Sequence, residues 1–512
     1  MRASDRLDRA GAPAAALAVD ATALPRPVSS GKQLAHFAKR WLYLIHRWVG
    51  IGASLLLAMW FLSGFVMLYV PYPSLTQAER LAGLAPIQWQ AVHAFPAIGE
   101  AAKGARIMLE QGVDGPRWRV RAGTAEHSYS ATTGALQPPA DEARARRVAE
   151  AFSHARVRSV ERVERDQWTV AGGFNFARPL WKLRLATPDN RELYVSSTSS
   201  AVVQDTLDWE RLWNWLGSVP HWIYPTLLRQ DQPLWRQVVI WTSFAGIVSA
   251  ATGMWIGVLR FRLRKRFKGG RMSPYQGWKR WHHWFGLTGG LLLTTWIVSG
   301  WLSVDPGRVF ESPGLSEQAL ATYSGAGALP VVDWARAAQA PALRDARQVR
   351  LAWAGGTPLL VPEHQGDMRP AVDARTLTPV AYDAAQLRSA ATKLLPGVSV
   401  AGAEWIHASD NYWYDTSGPI ELPVLRVRFD DAAGTWVHLS PRTGEMVGDI
   451  DTRRRVYRWL YSGLHDWDIA GFVTRRPLWD LWMWLWLLPG TIVSVSSVVI
   501  GWQRLRRSAK SK

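Results

Sequence analysis

Four stretches of the chain stay apolar over the roughly 20 residues that a helix needs to cross a hydrocarbon core: residues 44–70, 235–259, 281–304 and 478–502. Between them the hydrophobic pattern changes period. "RWRVRAGTAEHSYSATTGAL" (117–136), "PLWKLRLATPDNRELYVSSTSSAVVQD" (179–205), "VRLAWAGGTPLLVPEHQGDMRPAVDARTLTPV" (349–380) and "PVLRVRFDDAAGTWVHLSPRTGEMVGD" (423–449) each alternate apolar and polar residues, cross a polar turn and alternate again. Period-two alternation marks a half-buried strand, and a turn between two such runs makes a hairpin. The pattern predicts a membrane protein of four transmembrane helices. Its two long intervening segments, 71–234 and 305–477, fold as α+β domains with two hairpin units in each.

Charge orients this arrangement. The net charge of +19 is carried by three short segments: residues 1–47 hold +5, residues 260–280 hold +9 and residues 504–512 hold +5. A nucleic-acid partner would call for a basic patch on a folded face. Here the positive charge lies just outside the apolar stretches, as expected of cytoplasmic loops, so membrane lipid is the expected partner and nucleic acid is not. Both termini, the 260–280 loop and the 503–512 tail are therefore expected in the cytoplasm, with the two long segments in the periplasm of a bacterial inner membrane. Residues 1–35 are rich in Ala and Pro, interrupted by acids, and read as a disordered cytoplasmic tail. The 31 Trp suit an aromatic belt at the membrane surfaces. With no Cys, the chain cannot form disulfides, thiolate metal sites, iron–sulfur clusters or a thioether-attached haem.

The two halves repeat. At an offset of 236, His46, Trp48, Gly50, Trp60 and Ser63-Gly64 meet His282, Trp284, Gly286, Trp296 and Ser299-Gly300. At an offset of 244, Pro179, Trp215, Ser218, His221 and Gly246 meet Pro423, Trp459, Ser462, His465 and Gly490. Each copy reads span, outer domain, span, and each starts on the same side. The repeats are therefore parallel, about an axis along the membrane normal. Of 12 histidines, only His46 with His282 and His221 with His465 recur in register.

Residues 46, 50, 53, 57, 60 and 64 share one helix face and read His, Gly, Ala, Leu, Trp, Gly; their counterparts 282, 286, 289, 293, 296 and 300 read His, Gly, Gly, Leu, Trp, Gly. A histidine followed by turns without bulk, at Gly50, Gly286 and Gly289, gives a porphyrin an axial imidazole and room beside the backbone. Small residues at this spacing also let helices approach closely without any cofactor. That reading leaves unexplained two ionisable groups in an apolar region, where such groups are costly and usually functional. The stripe beginning at His283 reads His, Leu, Gly, Thr, Ile, Trp and leaves less space; His283 is the alternative ligand to His282.

His221 and His465 fall at the outer surface, in "WLGSVPHWIYP" and "WLYSGLHDWDI", where each also reads as an ordinary interfacial histidine near water; their registration in the repeat favours ligation. A hydrocarbon thickness of about 30 Å separates them from the inner pair, so His46 pairs with His282 and His221 with His465. Zinc would require a third or fourth ligand, and no Asp or Glu lies in the inner-pair helices. Two imidazoles fill both axial positions of a haem iron, which suits electron transfer and leaves no position for dioxygen. Trp60 and Trp296 lie between the layers, as packing residues or as aids to transfer.

The duplicated "H-x-W-x-G … SG" spans, "RPLWKLRLATPDNRELYV", "LPVLRVRFDDAAGTWVHLSPRTGE" and the "PLW" spans with basic tails resemble the PepSY-associated transmembrane family, and within it the inner-membrane ferric-siderophore reductases. The resemblance covers nearly all of residues 36–507. It implies two b-type haems on His46, His282, His221 and His465, and outward electron transfer that reduces ferric siderophore in the periplasm for iron uptake. Ser199-Ser200 stands where Thr443-Gly444 stands in the second half, a departure from a strong hairpin that leaves the substrate residues unassigned. No flavin or nicotinamide glycine fingerprint occurs, so the electron donor is a cytoplasmic or quinone reductant. Two other functions compete: a membrane-anchored regulator of a periplasmic protease, and an accessory of haem or siderophore transport.

Overall fold

The computed structural model describes residues 30–98, 104–414 and 420–510. Three helices are long and apolar enough to cross a membrane: α1 (Ser30–Met67), α7 (Gln232–Arg260) and α14 (Leu478–Lys510). The remaining apolar stretch is a pair, α8 (Trp278–Thr288) and α9 (Gly290–Leu302), bent by 72° at the break and long enough to span only when taken together. Where the pattern predicts one span over 281–304, the helix is therefore broken. The break falls at Gly289, where α14 presses in: a Cβ there would lie 2.8 Å from Pro489 Cβ, so only glycine leaves room for this contact. α14 itself runs through Pro489 without interruption.

Helix ends also reach further than the apolar windows. α1 begins at Ser30, so residues 30–35 of the expected disordered tail are helical, while residues 1–29 lie outside the described residues. α14 carries the basic 503–512 tail as helix as far as Lys510. α1 lies against α7 and α14, α14 against α8, and α7 against α9. Leu57, Phe61, Leu293, Trp296, Met483 and Leu487 fill the space between them.

The intervening segments fold into antiparallel strands with short helices between. In the first are α2 (Gln77–Gly83), β1 (Arg106–Gly112), β2 (Gly115–Ala122), β3 (Ala125–Ser130), α3 (Glu142–Ser153), β4 (Val157–Val163), β5 (Leu180–Leu185), β6 (Glu192–Ser196) and β7 (Val202–Thr206). α4 (Asp208–Leu216), α5 (Ser218–His221) and α6 (Thr226–Arg229) then lead into α7. The second segment has α10 (Glu317–Ser324), α11 (Trp334–Ala337), β8 (Gln348–Ala354), β9 (Thr357–Glu363), β10 (Val372–Asp373), α12 (Ala384–Ala391), β11 (Val400–Ile406), β12 (Val424–Phe429), β13 (Trp436–Leu439), β14 (Met446–Ile450) and α13 (Thr452–Arg458).

Strands β4-β5-β6-β7 form one four-stranded sheet and β11-β12-β13-β14 another. The first hairpins of the two segments do not stay apart. They join edge to edge in one six-stranded sheet, β10-β9-β8-β1-β2-β3, through the antiparallel pairs Ile107↔Leu351, Met108↔Arg350 and Leu109↔Val349. An isolated hairpin is marginal in water and leaves an open edge; joining β1 to β8 removes both problems.

The hairpins close on a shared turn. The N–H of Gly134, Ser200, Leu377 and Gly444 donates to the C=O of Ser130, Ser196, Asp373 and Ser440, at 2.8–2.9 Å. The last residue of each turn has a left-handed φ of 75°, 55°, 61° and 66° respectively. Ser200 therefore builds the same turn as Gly444, at the conformational cost that a non-glycine residue bears in that region.

Candidate functional site

The helix bundle brings His46 and His282 together, their ring centroids 6.2 Å apart. His221 and His465 meet at the sheet-side end of the bundle, also with centroids 6.2 Å apart. Imidazole nitrogen binds a metal at about 2 Å, and the ring centre lies about 1 Å behind that nitrogen, so two imidazoles sharing one ion have centroids about 6 Å apart. Both spacings fit a single metal centre between the rings.

The second nitrogen of each ring is occupied. His46 Nδ1 lies 3.1 Å from Ser249 O of α7, and His282 Nδ1 lies 3.2 Å from Val493 O of α14, with Ser497 Oγ also at 3.2 Å. At the other layer, His221 Nδ1 is 3.0 Å from Ser63 Oγ and 3.1 Å from Trp60 O, and His465 Nδ1 is 3.0 Å from Ser299 Oγ. These contacts recur at the sequence offsets of the histidines: Ser249 and Val493 differ by 244, Ser63 and Ser299 by 236. Among the described residues no hydrogen bond reaches Nε2 of these four rings. A metal-binding histidine usually donates its other ring N–H to a carbonyl or similar acceptor, which sets tautomer and orientation. Each of the four is held in that way, leaving Nε2 as the available ligand.

His283 is held the opposite way. Its Nε2 is 3.0 Å from Gly257 O, its buried Nδ1 has no partner, and its ring sits edge-on to Tyr275 at 5.2 Å. The nitrogen that points outward from the helix is already committed to the end of α7, which favours His282 over His283 as the ligand.

A cavity of about 380 Å³ opens beside the His46–His282 pair, within the range of cofactor pockets. Its walls include Gly50, Gly253, Gly257, Gly286, Gly290 and Gly501. A Cβ on Gly286 would meet nothing within 4 Å, whereas one on Gly253 would lie 2.7 Å from His46 Cε1. Two of the three glycines expected to make room, Gly50 and Gly286, line this space. Gly289 does not: it is the kink residue against Pro489, where close helix contact, not ligand clearance, excludes a side chain. Arg47, Lys279, Arg504 and Arg507 also line the cavity, and no Asp or Glu does.

The sheet-side pair sits where helical geometry breaks in both segments. His221 ends α5 after Gly217 leaves helical conformation, and His465 follows a π turn over Trp459–Gly463. Would-be Cβ atoms on Gly64 and Gly300 lie 3.9 and 3.2 Å from the Cε1 atoms of His221 and His465, so the repeated Ser-Gly steps supply both a hydroxyl and clearance for the ring. The repeat register flags these steps; only the folded chain shows what they touch. Trp296 is buried between the layers with Phe61 at 6.0 Å, and Trp60 packs beside it.

Charge in the strand-bearing segments collects where the two join. Glu110, 1% exposed, receives Arg117 at 2.7 Å and Arg119 at 3.1 Å, and Gln348 from the other segment donates to it at 3.1 Å. Burial alone would raise the Glu110 carboxyl, but Arg119 and Arg117 outweigh it and hold it down to about 2. Arg350 grips Glu445 with two bonds of 2.6 and 2.8 Å, tying the shared sheet to β11–β14. Among the described residues no group of three or more His, Cys, Asp or Glu could hold a bare metal ion. No family model matches the chain, and no curated protein matches it.

Proposed function

We propose that this chain is a di-haem inner-membrane oxidoreductase that passes electrons from the cytoplasmic side to the periplasm and there reduces ferric siderophore, releasing Fe(II) for uptake. In this reading α8 and α9 together form the third of four spans, the halves are parallel repeats, and the sheets are PepSY-like domains in the periplasm. A cytoplasmic or quinone reductant supplies the electrons. One observation carries the proposal: two histidine pairs with the same 6.2 Å separation, each ring tied through Nδ1, recur at the repeat offsets.

Haem held by His46 with His282 and by His221 with His465 would supply reversible one-electron transfer. The chain's own residues do the rest. Ser249 O and Val493 O fix the tautomer of His46 and His282, and the hydroxyls of Ser63 and Ser299 orient His221 and His465. Glycine walls leave room beside His46 and His282, and aromatic and aliphatic side chains fill the space between the layers.

The test is an absorbance spectrum of the detergent-purified chain, oxidised and dithionite-reduced, with haem per chain. About two six-coordinate haems are expected, reoxidised on adding a ferric hydroxamate chelate. A colourless preparation from haem-replete cells would reject the proposal and leave the spans as anchors. Pigment that washes away would point to transport.

A further inference from the structure

Tyr43 of α1 and Arg260 of α7 pair at the end of the helix bundle away from the sheets, the distal end, which also holds His46 and His282. Arg260 Nε donates to Tyr43 OH at 2.7 Å, and the guanidinium lies 5.2 Å from the ring centre. Their repeat equivalents, at offsets of 236 and 244, are Lys279 and Arg504. A neutral acceptor facing a cation in one half has thus become two cations in the other. Like charges placed together are unfavourable unless an anion lies between them. Both residues line the cavity beside His46 and His282, with Arg47 and Arg507, and the cavity has no acid in its wall. Among the described residues none of the four cations makes an ion pair or a side-chain hydrogen bond.

We infer that Lys279 and Arg504, helped by Arg47 and Arg507, bind the carboxylates of the ligand in this cavity, so that the tetrapyrrole enters with its two propionates toward the cytoplasm and on the second-half side. This rests on the haem reading of the distal pair and adds to it an orientation and an anion site. The apolar glycine wall receives the ring, the histidines face its centre, and the basic mouth takes its only charged edge. Charge-assisted bonds to carboxylate are the stronger class of hydrogen bond, and a mouth at the membrane surface places them where neither partner need be stripped fully of water.

The experiment uses the full-length chain, made in porphyrin-starved cells and titrated in detergent with haem or with haem dimethyl ester, whose carboxylates are blocked. Absorbance reads both occupancy and axial ligation. The wild type should bind the diacid tighter than the diester by about tenfold or more. In Lys279→Gln/Arg504→Gln that preference should fall to about twofold or less, with diester affinity unchanged, and Lys279→Arg should keep it. A wild type that does not distinguish the two porphyrins, or a double variant that still does, overturns the inference. So does a result in which the double variant changes only the response to phosphatidylglycerol against phosphatidylcholine nanodiscs, which would assign the cations to lipid headgroups. If neither porphyrin gives a six-coordinate spectrum in the wild type, the haem reading itself has failed, and the two failures are told apart.

Discussion

The distal histidine pair is held by helices alone: His46 leans on α7, His282 on α14, and a cavity of about 380 Å³ opens beside them. The sheet-side pair keeps the same ring separation with different supports. His465 lies 5.6 Å from the Tyr461 ring, and the chain around it is pinned by loops of the strand-bearing segment, where Arg458 bonds Asn411 O and Asp468 O. On the other side Gln167 reaches down to Tyr224 O at 2.8 Å and accepts from Thr226 N at 3.1 Å. Both pairs are tied to helices, His221 to α1 and His465 to α9 at the sheet side, but only the sheet-side pair also depends on how the sheets sit over it.

The largest expected effect separates the layers directly. His46→Ala/His282→Ala should lower pigment from about two haems per chain to about one, with the remaining spectrum unchanged, whereas His221→Ala/His465→Ala should remove the other. Full pigment in either double variant would break the assignment of that layer.

Next in size is Glu110→Ala. It leaves buried Arg117 without its carboxylate and Arg119 with only Glu126, at 3.4 Å, and a buried ion pair broken on one side costs about 3–5 kcal/mol. Thermal unfolding of the extramembrane region should fall by several degrees, with the sheet-side pigment lost at lower temperature than the distal one. Acid makes the same comparison in the wild type. The Glu110 carboxyl lies below its ordinary 4.5, at about 2, so its stabilising contribution is complete above about pH 4.5 and is lost as the pH falls toward 2. Sheet-side pigment should therefore bleach first in an acid titration; simultaneous bleaching of both would show that the layers are not independently supported.

Ser299→Ala should weaken the sheet-side site by about tenfold, as removal of a ligand's outer hydrogen bond does, leaving the distal site alone. Haem transfer to an apo-globin acceptor reads that rate. The smallest effect belongs to His283→Ala, in which both spectra should stay as they are, because its Nε2 is bonded to Gly257 O. A loss of distal pigment there would reverse the choice between His282 and His283.

Much of this site could be read along the chain. Repeat register singles out His46, His282, His221 and His465, and marks Ser63-Gly64 with Ser299-Gly300, because duplication preserves sequence spacing whatever the fold. Apolar windows locate α1, α7 and α14, since twenty apolar residues have few other uses. What an offset cannot express is contact across helices. Gly253, Gly257 and Gly501 lie on α7 and α14, not on the helices that carry His46 and His282, and no pattern on α1 or α8 points to them. Gly289 follows the same stripe as Gly286 yet serves a kink, because Pro489 of a distant segment happens to press on it. The edge pairing of β1 with β8 likewise depends on two strands 242 residues apart meeting in space. Periodicity and duplication, being local and linear, settle which residues are equivalent; which nitrogen is left free, which glycine faces a void and which strand edge finds a partner are decided only when remote segments come into contact.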